Sequence, residues 1–151
     1  TRIVIEASWG LGEMVVSGVV TPDNFVVEKV LEEILDRKIA DKHVELVGDP
    51  ELGQAVEREV EADRRSACCL SDVEILAVAR LAKRLEKQNK CPQDVEWAID
   101  ADLPAGENLL ALQSRPETIW SQKKAEKKPA SYMTGMMGIV NTLNNPISSK
   151  G

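Results

Sequence analysis

Gln93-Asp94-Val95-Glu96-Trp97-Ala98-Ile99-Asp100 and, a little further on, Leu112-Gln113-Ser114-Arg115-Pro116-Glu117-Thr118 are the stretches whose reading decides the fold. Each alternates polar and apolar residues with a period of two, as a half-buried strand does. In the first, Val95, Trp97 and Ile99 share one face, and Asp94 and Glu96 share the other. In the second, Gln113 and Arg115 lie on a common face. The segment between them, from Ala101 to Asn108, holds Pro104 and Gly106 and reads as a hairpin loop. Antiparallel pairing about Pro104-Ala105 sets Glu96 opposite Gln113 and Asp94 opposite Arg115. Two carboxylates, an amide and a guanidinium then share one surface.

Such a group of side chains suits particular ligands. Carboxylate and amide oxygens are hard donors that fit Mg²⁺, which usually takes one or two carboxylates and completes its shell with phosphate oxygens and water. A guanidinium forks onto phosphate oxygens. The same residues also fit a plainer description, a solvated hairpin face with one cross-strand ion pair. Spacing alone leaves both readings standing.

Composition narrows the class. The chain has 151 residues, 43% of them hydrophobic and 29% charged, which fits one domain or a large piece of one. Its net charge of −6 argues against a general nucleic-acid or membrane-surface binder. No apolar run approaches the roughly 20 residues of a membrane span, and the start, Thr1-Arg2-Ile3-Val4-Ile5-Glu6, is not a signal peptide. The cysteines, Cys68, Cys69 and Cys91, are odd in number and show no Cys-x-x-Cys spacing. The single histidine, His43, has no ligand-spaced partner. These features lead us to expect reduced thiols, a cytoplasmic setting and no zinc site.

Along the chain, residues 2–7 read as a strand that opens without an initiator Met, which points to a start inside a longer domain. Gly10 and Gly12 make a loop, either a structural turn or a close approach to phosphate. Residues 14–20 and 25–30 are β-rich runs about a turn at Thr21-Pro22-Asp23-Asn24, and residues 29–36 could instead form a helical turn or two. Lys42 to Val47 reads as a short strand, and Asp49 to Arg65 as a surface strand with turns or a frayed helix. Ser71-Asp72-Val73-Glu74 is a capping-box pattern opening a helix that runs to Lys90, with Val73, Leu76, Ala77, Leu81 and Leu85 near helical spacing. Pro92 stops it. This helix is expected to pack on the back of the hairpin against Val95, Trp97 and Ile99. We read Trp9 and Trp97 as core residues rather than base-stacking ones. Residues 121–151 read as a charged linker and tail, with Met133 to Leu143 either a short amphipathic helix or flexible.

Three motifs carry a resemblance. Asp94-Val95-Glu96-Trp97-Ala98-Ile99-Asp100 with Leu112-Gln113-Ser114-Arg115-Pro116-Glu117-Thr118 is one. The second is Ala7-Ser8-Trp9-Gly10-Leu11-Gly12-Glu13 with Val15-Val16-Ser17-Gly18 and Thr21-Pro22-Asp23-Asn24-Phe25. The third is Cys69-Leu70-Ser71-Asp72-Val73-Glu74 leading into Pro92-Gln93-Asp94. In this order, over roughly residues 1–120, they resemble the end of the nucleotide-binding domain of the phosphoenolpyruvate-utilising phosphotransferases. Phosphoenolpyruvate synthase, pyruvate phosphate dikinase, rifampicin phosphotransferase and phenylphosphate synthase belong to that group.

The resemblance implies an α+β, ATP-grasp-like lobe, mainly antiparallel sheet with packed helices, incomplete without an upstream lobe. It implies ATP and Mg²⁺ as cofactors, and phosphoryl transfer from ATP to a carrier histidine on another domain or subunit. Glu96 and Gln113 match metal-and-phosphate ligands, Arg115 a phosphate-binding, transition-state-stabilising arginine, and Asp94 the accompanying acid. No match for the first-lobe lysine and arginine, the carrier-histidine segment or the phosphoenolpyruvate-binding barrel is present. The chain alone is therefore expected not to complete a reaction. The competing description is a non-catalytic interaction or regulatory module derived from the same fold.

Overall fold

Period-two burial organises the sheet. In β1 (Arg2–Trp9) the residues Ile3, Ile5 and Ala7 are buried, and in β2 (Asp23–Glu28) Asp23, Phe25 and Val27. In β6 (Gln93–Asp100) the matching set is Val95, Trp97 and Ile99. The computed structural model describes residues 1–12, 17–117 and 135–143. Besides these strands it contains β3 (Ile34–Lys38), β4 (Val44–Asp49), β5 (Gln54–Glu59), β7 (Leu109–Pro116) and β8 (Gly135–Leu143). The helices are α1 (Ala62–Arg65) and α2 (Asp72–Asn89). A six-stranded sheet has the order β3-β2-β1-β8-β6-β7, and β4 pairs with β5 in a separate hairpin. Neighbouring strands run antiparallel throughout, so the architecture is α+β with mainly antiparallel strands.

The helix α2 covers one face of this sheet. Its start is the expected capping box: Glu74 N–H donates to Ser71 Oγ at 3.2 Å, and Ser71 N–H donates to the Glu74 carboxylate at 2.8 Å. It ends at Lys90 in the left-handed region, with φ 59. The buried side is Ile75, Val78, Ala79 and Ala82, which joins Ile3, Ile5, Phe25, Val95 and Trp97 in one core. That corrects the stripe read from spacing. Val73 is 77% exposed, while Leu76, Leu81 and Leu85 pack only at the margin. The helix is apolar over more than half its circumference, so spacing admits two overlapping stripes. The sheet selects the one where Ala79 and Ala82 permit close approach.

Other elements depart from their expected limits. Asp23 and Asn24 open β2 rather than sitting in a turn. The Asp23 carboxylate is fully buried and accepts from Lys42 Nζ at 2.6 Å, Ala40 N–H at 2.9 Å and Cys69 N–H at 3.0 Å. It ties two loops to the sheet, and burial with Asp23 beside it pushes the Cys69 thiol up. Residues 29–31 form a turn ahead of β3, not a helical segment. Between Asp49 and Arg65 both alternatives are realised in part, as β5 and then α1. Of the β-rich run 14–20, residues 14–16 lie outside the described residues and 17–20 are turn and bend.

The clearest correction is β8. Gly135–Leu143 were expected in a tail or a short helix, yet they form a strand paired with both β1 and β6. Strands β1 and β6 run in the same direction, and each has an inner edge of backbone N–H and C=O groups to satisfy. One antiparallel strand between them meets both needs, and Ile139, Val140 and Thr142 are β-branched residues that favour extended backbone.

Candidate functional site

The hairpin β6–β7 has the register deduced from its alternation. Asp94 pairs with Arg115 and Glu96 with Gln113, so all four lie on the sheet face opposite α2. All four are half-buried. Arg115 Nε stands 3.7 Å from Asp94 Oδ2, a loose ion pair whose guanidinium side is 41% exposed. A bulge between Glu96 and Trp97 shifts the pairing so that Trp97 meets Ala111. Bulges bend a strand and re-aim its side chains, and this one sits beside the two metal-ligand candidates. At the base of the hairpin, buried Gln93 accepts from Ser114 Oγ at 2.9 Å and donates to Cys91 O at 3.2 Å. The strand ends are thereby held together from the core side.

The polar half of this face is bordered by an apolar half. Ala98, Leu11, Leu46, Ala55 and Leu112 form a small second cluster where the β4–β5 hairpin meets the sheet. Gly10 makes that meeting possible. Its φ is +73, and a Cβ there would stand 2.4 Å from Leu46 O, while Leu11 N–H donates to Leu46 O at 2.7 Å. Close packing against β4, which neither the turn nor the phosphate reading named, thus explains a glycine at position 10.

The structure adds one carboxylate that pairwise strand reading missed. Glu6 of β1 and Glu96 of β6 both lie opposite Ile139 in β8. Glu6 therefore stands in the same cross-sheet row as Glu96 and Gln113, about 10 Å from Glu96 at two strand spacings. Burial pushes the Glu6 carboxyl above the usual carboxylate range. The alternation of Arg2–Trp9 put Glu6 opposite Ile3, Ile5 and Ala7, but nothing local said which strand would lie two places away.

Trp9 and Trp97 both serve packing. Trp97 is fully buried in the core, and Trp9 Nε1 donates to Arg64 O at 3.0 Å while the Arg64 guanidinium lies 4.5 Å over its ring. Arg64 and Arg58 also bracket the buried Glu45 carboxylate, at 3.5 and 2.7 Å. His43 is exposed. Among the described residues no group of three His, Cys, Asp or Glu side chains is placed to hold a metal ion, and no helix is long and apolar enough to cross a membrane.

A family model described as the pyruvate phosphate dikinase AMP/ATP-binding domain matches residues 1–136. Among curated relatives, the phosphoenolpyruvate synthase of Aeropyrum pernix is 44% identical over 85% of this chain and 19% of that protein. A probable phosphoenolpyruvate synthase of Staphylothermus marinus is 37% identical, covering 83% of this chain and 17% of its own length. Another, from Methanocaldococcus jannaschii, is 43% identical over 84% of this chain and 10% of its own. The chain thus spans less than a fifth of the length of these relatives.

Proposed function

The chain belongs to the family of the pyruvate phosphate dikinase AMP/ATP-binding domain, and from that premise we propose that it is the ATP-binding part of a phosphoenolpyruvate-synthase-like phosphotransferase. In this reading it helps pass a phosphoryl group from ATP to a carrier histidine on another domain or subunit, with an upstream ATP-grasp lobe closing the nucleotide cleft. The observation that carries the reading is the hairpin register, which gathers Glu96, Gln113, Asp94 and Arg115 on one sheet face.

The roles follow from chemistry. Glu96 and Gln113 present one carboxylate and one amide oxygen side by side, a hard donor pair that fits Mg²⁺ with phosphate and water filling the remaining positions. When bound, Mg²⁺ supplies charge neutralisation at the phosphate oxygens. Arg115 forks onto the phosphoryl oxygens as the imidazole nitrogen forms its bond to phosphorus and the P–O bond to the leaving nucleotide breaks. Asp94, 3.7 Å from Arg115, limits where that guanidinium points.

The test uses the full-length protein and ATP labelled in its phosphate chain. Acid-labile, base-stable label on a histidine must appear, and it must fall away in the Arg115→Ala protein. Label that never reaches histidine in the wild-type protein sinks the proposal.

A further inference from the structure

On the α2 side of the sheet, away from the hairpin polar groups, a groove of about 700 Å³ opens between the β2–β3 turn and the C-terminal half of α2. Its walls hold many more cations than acids, in a chain whose net charge is −6. Some cations are spoken for. Lys29 pairs with Glu86 at 2.7 Å, and Glu32 takes Arg80 and Lys83, each at 2.7 Å. Arg84, Lys87 and Lys90 have no ion-pair partner among the described residues, and their spacing of three puts them along one side of the helix end. The helix dipole accounts for cations in the last turn, which includes Lys87 but not Arg84.

The opposite wall is a turn built to hold its shape. The Glu28 carboxylate accepts from Val30 N–H at 2.7 Å and Leu31 N–H at 2.5 Å. Glu32 sits in the left-handed region at φ 57, a conformation that side-chain-bearing residues adopt only when their surroundings enforce it. Its two ion pairs to α2 supply that enforcement. The result is a turn tip presenting Val30 and Leu31 at 75% and 69% exposure between Lys29 and Glu32, the two turn residues that line the groove. Two large neighbouring apolar side chains held in water mark an interaction surface more readily than scattered single ones do.

We propose that this groove docks an acidic protein segment bearing at least one large apolar side chain. Its carboxylates meet Arg84, Lys87 and Lys90, and its apolar residue covers Val30 and Leu31. A free phosphate compound satisfies the cations but gains nothing from the apolar tip. A second copy of this chain brings a like net charge of −6 and is repelled at long range.

The probe is a fluorescently labelled peptide of alternating Glu and Leu, titrated by anisotropy into the full-length protein. A peptide of alternating Glu and Ser and inorganic triphosphate are run beside it. The Glu–Leu peptide is expected to bind, with affinity falling as salt rises. The double substitutions Arg84→Glu/Lys87→Glu and Val30→Ser/Leu31→Ser should each weaken it by about tenfold or more. All four positions are exposed, and Arg84→Gln/Lys87→Gln is a milder variant with the same expected direction. The proposal is overturned by absence of binding, by equal binding of the Glu–Ser peptide or triphosphate, or by substitutions without effect. It is also overturned if sedimentation shows a dimer that these substitutions dissolve, since the groove is then a self-contact.

Discussion

Replacing Arg115 by alanine separates the two descriptions of the hairpin face, because they assign the guanidinium very different values. As a structural element Arg115 is minor. Its side chain is 41% exposed and its ion pair with Asp94 is 3.7 Å long. An exposed pair of that kind contributes at most about 1 kcal/mol, and solvent and salt reduce it further. The substitution should therefore shift the urea midpoint slightly and leave the slope of unfolding unchanged. As a group that stabilises charge on a transferring phosphoryl, its loss typically costs ~10²–10³ in rate, about 2.7–4 kcal/mol.

The gap between these two figures makes the experiment decisive. The rate is measured in the full-length protein by single-turnover labelling of the carrier histidine at saturating ATP. Arg115→Lys keeps the charge and loses the fork, so its rate should fall between wild type and alanine. A folded Arg115→Ala protein that labels within a few-fold of wild type would refute the transition-state role. So would a rate loss matched by a loss of stability, since the defect would then be one of folding.

Trp97→Ala should destabilise the chain by about 3–5 kcal/mol, because the indole is fully buried between β6 and α2; a denaturation shift below about 1 kcal/mol would show that the indole is not in the core. Glu6 has a folded-state pKa above its unfolded one, so the folded form binds the proton more readily and the residue contributes stability as pH falls through that pKa. In a series of urea midpoints, Glu6→Gln should remove this gain, and parallel wild-type and variant profiles from neutral pH into the carboxylate range would contradict it. The isolated 151-residue chain should bind ATP-Mg weakly in calorimetric titration, since a single sheet face buries little ligand while good small-molecule sites bury ~70–90% of it. Micromolar affinity would mean that the site is elsewhere or more complete than the hairpin face.

Much of the hairpin was legible in its own residues, since a two-residue period and a short loop containing Pro and Gly specify faces and register together. A slip of one residue would have turned Val95, Trp97 and Ile99 out to water, so Glu96 had to meet Gln113 once the core side was known. The capping box at Ser71 was equally local, a hydroxyl and an acid three residues apart meeting across one helical turn. Motif order along the chain also indicated the family, because it needs no knowledge of contacts.

What the sequence did not reveal were meetings between segments far apart along it. Local pattern sees neighbours at two, three or four residues, whereas the cost of bringing distant segments together is offset only by the packing they find there. Glu6 reached the row of Glu96 only through the insertion of Gly135–Leu143 between β1 and β6. Asp23, a turn residue by composition, became a fully buried carboxylate because Lys42 and two backbone N–H groups from other loops converge on it. The helix showed its sheet where it could come closest, along Ala79 and Ala82. The chemistry of the individual groups was therefore set by the sequence, and which of them stand together was set by tertiary packing, where a buried polar atom or an open strand edge has to find its partner.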